Sequence, residues 1–127
     1  MSAMALSLDL SGLPVARFEE KAAIFFHGEP ADVAYLLVQG RVSIMVPNKA
    51  GELVPVAEVK PGQIFGEMAL LMKGSRTAFA IAETECTCVS INDAALQREL
   101  SKADPFIRFW IKYMTGRLID TSQRALR

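Results

Sequence analysis

Four glycines, Gly28, Gly40, Gly51 and Gly62, punctuate the first half of this sequence at spacings of 12, 11 and 11 residues. Between them lie short runs rich in branched and aromatic side chains: Ala22–Phe26, Val33–Val38, Arg41–Val46 and Glu52–Val59. Two more follow at Thr77–Glu83 and Cys86–Ile91. Short strands closed by turn residues at this interval restrict the chain to a β-sandwich or barrel. Pro47-Asn48-Lys49-Ala50-Gly51 reads as a hairpin loop and Pro61-Gly62 as a tight turn. Pro55 lacks the N–H a central strand needs, so its strand is expected at a sheet edge or at a bulge.

Helical patterning is confined to the ends. A short N-terminal helix is expected around Pro14–Glu20. Asn92 or Asp93 can cap a helix running to about Leu100. Asp104-Pro105 gives a second start signal, a cap followed by proline at the first helical position. From there Phe106, Ile107, Trp110, Ile111, Met114 and Leu118 recur at helical spacing, which predicts a helix to about Thr121.

With 127 residues, 51% of them hydrophobic, the chain suits one domain around one core. Its 14 basic and 14 acidic side chains cancel, so nothing overall attracts nucleic acid or an anionic membrane. No apolar run approaches bilayer-spanning length. Met1 to Leu10 lacks a basic leader and carries Asp9, unlike a signal peptide. Cys86 and Cys88 sit two apart on an expected strand and point to the same face, where they cannot easily bridge. A cytoplasmic location is the simplest expectation.

The chemistry concentrates at Phe65-Gly66-Glu67-Met68-Ala69-Leu70-Leu71 and Ser75-Arg76-Thr77-Ala78. A strand is expected to end at Phe65, and Gly66-Glu67 to open a helical turn. The first N–H groups of such a turn have no intrahelical partner and form an anion site, which glycine lets a phosphate approach closely. Arg76 can meet phosphate oxygens with two parallel donors. Glu67 would repel phosphate; it suits a hydroxyl, and its charge can orient Arg76. Thr77 adds a hydroxyl. Together these groups describe a ligand with a phosphate and a nearby free hydroxyl, as in a nucleotide. The alternative is an ordinary Glu67–Arg76 ion pair on a turn, contributing ~0–1 kcal/mol.

The whole string resembles the phosphate-binding cassette of the cyclic nucleotide-binding domain family, approximately Phe-Gly-Glu-x-Ala-Leu-Leu and, after a few residues, Pro-Arg-x-Ala. Arg76 and Ala78 stand nine and eleven residues after Glu67, as the cassette has them. Ile24-Phe25-Phe26-His27-Gly28-Glu29 and Asp32-Val33-Ala34-Tyr35-Leu36-Leu37-Val38-Gln39-Gly40 resemble earlier family landmarks, and the resemblance covers about Ala16 to Leu118. It implies a mainly β protein: an eight-stranded β-roll of jelly-roll type with flanking helices. The expected organisation of the single domain, 1–127, is a helical segment at 1–20, a β-roll at 21–92 containing the cassette at 65–78, and lid or relay helices at 93–127. By resemblance Arg76 holds the exocyclic phosphate oxygens, and the N–H groups from Gly66 through Met68 to Ala69 cradle them. Glu67 accepts the ribose 2′-hydroxyl. Phe65, Thr77 and Ala78 complete the cassette wall, and Ile44 and Val56 line the purine. The ligand is cAMP or cGMP, with no further cofactor and no metal; cAMP is favoured, while Thr77 permits cGMP. Two departures stand out. Ser75 replaces the usual proline, which suggests a looser loop, and bulky Phe79 could crowd or simply cover the roll.

Resemblance also assigns the C-terminal helix to a lid over the exposed face of the base, with Trp110, Phe106 and Tyr113 as candidates. The same residues could be only the helix's core stripe. No helix-turn-helix follows in these residues, so the chain reads as a sensor that signals to a protein effector or a second copy through this helix, or as a piece of something larger. An enzyme of the metal-dependent jelly-roll kind needs several converging ligands, and His27 is the one histidine. Cys86 and Cys88 lack the further ligands of a zinc site. A degenerate domain that keeps the fold and serves only as an interaction module is the remaining alternative.

Overall fold

The computed structural model describes residues 12–67, 74–110 and 113–114. Eight strands, β1 (Val15–Phe18), β2 (Ala23–Phe25), β3 (Val33–Gln39), β4 (Val42–Pro47), β5 (Leu53–Val59), β6 (Ile64–Phe65), β7 (Phe79–Ala82) and β8 (Cys86–Asn92), precede helix α1 (Asp93–Ser101). They form two antiparallel sheets, ordered β1-β8-β3-β6 and β2-β7-β4-β5. The chain changes sheet at every connection except the β4–β5 hairpin, which gives the jelly-roll path. Such reversals need tight turns. Gly40, between β3 and β4, has φ +105°, and a Cβ there would lie 2.5 Å from the Glu85 carbonyl oxygen. Only glycine fits that crossing.

The core lies between the sheets. Leu37, Val42, Ala80, Ala82, Cys86 and Cys88 are almost wholly buried, and strand alternation explains why. On β7, Ala80 and Ala82 face inward while Phe79 and Ile81 face out. The two cysteines share the inner face as free thiols. Burial, and then the neighbouring Cys86, push the Cys88 thiol up to about 12.

Pro55 sits on edge strand β5, beside a bulge. Ile44 pairs with Ala57 and Met45 with Pro55, so Val56 is the extra, unpaired residue. The expected helix at Pro14–Glu20 is not formed: residues 15–18 are strand β1, with Val15 opposite Val89 and Phe18 opposite Cys86. Four residues cannot display a helical period, and the open edge of β8 supplied backbone partners that no isolated turn could match.

The C-terminal signals correspond to structure. The Asn92 side-chain oxygen accepts the Ala95 N–H at 2.7 Å and caps α1. Asp104 accepts the Phe106 N–H at 2.9 Å, and residues 105–110 and 113–114 are helical. Leu118 and the expected helix end at Thr121 lie outside the described residues, as do Met68, Ala69, Leu70 and Leu71. Among the described residues no helix is long and apolar enough to cross a membrane.

Candidate ligand-binding site

A cavity of about 560 Å³ opens where β6 ends. It is lined by Phe25, Ile44, Ala57, Glu58, Val59, Gln63, Ile64, Phe65, Gly66, Glu67, Arg76, Thr77 and Ala78. Seven residues expected from sequence, Ile44, Phe65, Gly66, Glu67, Arg76, Thr77 and Ala78, therefore share one wall system.

Arg76 dominates the electrostatics. It is buried, at 5% exposure, and its pKa is pulled below the ordinary arginine value by that burial, against the opposing pull of Tyr35, Asp32 and Glu29. Its Nη1 donates to the Gly66 carbonyl at 2.9 Å and its Nη2 to the Val33 carbonyl at 2.6 Å. Its Cζ lies 4.1 Å from the centroid of the Phe25 ring. Among the described residues no carboxylate pairs with it. The alternative of a Glu67–Arg76 ion pair is thus not what forms, and Glu67 does not orient Arg76 by contact. Two carbonyls and a ring do so instead. Of the five N–H donors on a guanidinium, three remain uncommitted among the described residues.

The backbone around Arg76 is clamped. The Gly28 N–H donates to the Arg76 carbonyl at 2.8 Å, the Arg76 N–H to the Glu29 carbonyl at 2.8 Å, and the Ala31 N–H to the Gly74 carbonyl at 3.2 Å. Ser75 lies in a β-bridge with Pro30. The loop expected to be looser for want of a proline is therefore tied down at its end, next to Arg76. Phe79 does not crowd the cavity. It turns to the outer face, edge-on to Phe26 and stacked with His27, each at 6.1 Å between ring centroids.

Gly66 shows how closely the parts fit. Its φ is +76°, and a Cβ there would lie 2.7 Å from Arg76 Nη1 and 3.1 Å from Phe25 Cε2. Glu67, half-buried, is helical and lines the cavity beside it. The site therefore offers a desolvated cation and a carboxylate acceptor at the end of an apolar hollow. That arrangement can hold an anion joined to a hydroxyl-bearing ring.

Two groups of expected residues are placed elsewhere. Val56 does not line the cavity; the bulge turns it out, 57% exposed, and puts Ala57 opposite Ile44. Phe106, Trp110 and Tyr113 do not reach the cavity either. With Phe109 and Met114 they line a separate apolar groove of about 340 Å³. Phe106 and Trp110 pack edge-to-face at 5.6 Å. They neither cap the cavity nor form a buried core stripe, for all three are more than half exposed.

Sequence reasoning missed Phe25, Ala57, Glu58, Val59, Gln63 and Ile64. The Gln63 side-chain oxygen accepts the Lys60 N–H at 2.9 Å and so shapes the turn into β6. Glu58 also meets Arg41, just before β4, whose Nε lies 3.3 Å from Glu58 Oε1. This half-exposed pair contributes little. A signal for Phe25 existed in the apolar run before Gly28, but two adjacent phenylalanines leave strand parity undecided.

Comparison with known proteins agrees with this geometry. The chain is 29% identical over 111 residues to the global nitrogen regulator of Synechococcus elongatus, covering 86% of this chain and 50% of that protein. It is 29% identical over 114 residues to the cAMP-activated global transcriptional regulator Vfr of Pseudomonas aeruginosa, covering 86% of this chain and 53% of that one. The chain thus spans about half the length of the curated relatives it matches. Among solved structures, the EAL enzyme Bd1971 superposes in its cGMP-bound form with a TM-score of 0.69 at 28% identity, over 89% of this chain and 30% of that one. Its cAMP-bound form gives the same score at 25% identity, again over 89% and 30%. Residues 15–103 match the family model described as the cyclic nucleotide-binding domain, and with the β-roll and the Gly66–Arg76 arrangement in place, the chain belongs to that family.

Proposed function

We propose that the chain is a sensor domain that binds a cyclic purine nucleotide, cAMP in preference to cGMP, and passes the signal to another protein. The observation that carries this is Arg76: a buried guanidinium that no carboxylate reaches at ion-pair distance among the described residues, in the wall of a cavity that Glu67 also lines. A buried cation without a paired counter-charge is costly, so an anionic ligand there gains more than it would at the surface. Arg76 takes the cyclic phosphate, Glu67 accepts the ribose 2′-hydroxyl, and Ile44 with Ala57 flanks the base. The preference for cAMP is supported by the similarity to a cAMP-activated regulator, while exposed Thr77 offers a hydroxyl that either base could use.

The relay is assigned to the helical residues 105–110 and 113–114. Phe106, Ile107, Phe109, Trp110, Tyr113 and Met114 are each 46–67% exposed. A clustered apolar surface of this kind fits a partner, here a protein effector or a second copy of the chain. The role is one of binding, not catalysis, in a cytoplasmic setting without nucleic acid or membrane contacts of its own. The degenerate-module alternative leaned on Phe79 and Ser75. It loses that support, since one faces away from the cavity and the other is bridged to Pro30.

Calorimetry with cAMP and cGMP tests the proposal directly. Binding is expected, tighter for cAMP, with Arg76→Ala weakening it by ~2–5 kcal/mol because the phosphate is then buried without a counter-charge. Glu67→Gln should weaken it less, since an amide oxygen still accepts a hydroxyl. No heat and no thermal shift with either nucleotide would overturn the assignment.

A further inference from the structure

An arginine that must hold an anion needs support that does not use up its charge. A carboxylate partner would neutralise Arg76 and compete with the ligand for its N–H groups. An aromatic face attracts a guanidinium through its quadrupole and leaves the in-plane donors available. Phe25 supplies that face, 4.1 Å from Arg76 Cζ. The carbonyls of Gly66 and Val33 fix the guanidinium within its plane, and the ring fixes it against movement out of that plane. Phe25 is itself well held. It is buried, pairs with Ala80 across β2 and β7, and packs on Phe65 at 6.2 Å between centroids. It also lines the cavity.

We propose that Phe25 is a positioning residue for the ligand's anionic group, carrying Arg76 on its ring face and leaving the guanidinium's in-plane donors to the ligand. This rests on the cyclic nucleotide reading and deepens it: the affinity for phosphate is set by an aromatic platform in β2 as well as by the cassette. Phe25 also belongs to the hydrophobic core, so the test must separate its effect on Arg76 from its effect on packing.

The test is titration calorimetry of the full 127-residue chain with cAMP and cGMP. Phe25→Leu is expected to weaken nucleotide binding about tenfold. In an Arg76→Gln background, followed by NMR titration, the same change should alter affinity by less than about twofold, because the two residues act as one unit. A second variant keeps ring shape and core volume: trifluorophenylalanine incorporated at position 25. Its electron-poor face should weaken binding about threefold with the melting temperature nearly unchanged. If wild-type protein binds neither nucleotide, the functional reading itself fails. If wild type binds and Phe25→Leu costs the same with or without Arg76, the positioning role is overturned. If Phe25→Leu does not fold, the fluorinated variant decides, and unchanged affinity there overturns the role.

Discussion

Gly66→Ala probes the site at its tightest point, and Gly51→Ala is its natural control. Both glycines have left-handed φ, +76° at Gly66 and +84° at Gly51. Alanine in that region costs about 1–2 kcal/mol of stability at either position. At Gly51 nothing lies within 4 Å of the added Cβ, so that cost should be the whole effect. At Gly66 the Cβ would stand 2.7 Å from Arg76 Nη1 and 3.1 Å from Phe25 Cε2. The guanidinium is the end of a flexible chain and can retreat, but only by giving up its 2.9 Å bond to the Gly66 carbonyl and its seat on Phe25. A hydrogen bond from a charged donor is worth about 1.5–3 kcal/mol. Gly66→Ala is therefore expected to lose about 2.5–5 kcal/mol in total, the backbone cost and the displaced bond together. Nucleotide affinity should fall about 10- to 100-fold, while Gly51→Ala binds as wild type. Urea denaturation measures the first quantity and calorimetry the second. A Gly66→Ala protein as stable as Gly51→Ala, with unchanged affinity, would refute the claim that Gly66 is a steric support for Arg76.

Other expectations follow from single residues. Ile44→Ala should weaken nucleotide binding several-fold while Val56→Ala leaves it unchanged, because only Ile44 lines the cavity; equal effects in calorimetry would contradict the bulge. Asn92→Ala removes the 2.7 Å cap on Ala95 and should lower stability by about 1 kcal/mol in denaturant melts, without altering the ligand's seat. Cys88 has its folded pKa raised from 9.0 to about 12, so the folded state holds the proton that the unfolded chain releases. Its contribution is complete below pH 9 and is lost as pH climbs towards 12. Alkaline melts should show this decline, and Cys88→Ala should make it shallower.

The strand rhythm was legible because turns in this fold fall on glycines that adopt left-handed φ, at Gly28, Gly40, Gly51 and Gly62. Asn92 and Asp104 were legible as caps because capping is a local matter between a side chain and N–H groups two or three residues on. The Gly66–Arg76 juxtaposition could be read from the string, but what supports Arg76 could not. The Val33 carbonyl lies 43 residues away in sequence, and the parity of Phe25 depends on a register shift between β2 and β7. Val56 was misplaced for a similar reason, since one extra residue in β5 exchanges inward and outward positions. Residues 15–18 were misread because a four-residue strand takes its conformation from β8. Helical spacing located Phe106, Trp110 and Tyr113 without revealing that they line a groove separate from the cavity.

The clamp between residues 74–76 and 28–31 has a consequence for how this surface can diversify. Arg76 is aligned to the exit of β2, not to the helical residue Glu67. The guanidinium takes its bearing from the segment before β3 and from the Val33 carbonyl, so a change at Glu67 that leaves Gly28 to Ala31 intact leaves that bearing in place. Substitution at Glu67 can thus change what its side of the cavity accepts while the cation opposite keeps its aim.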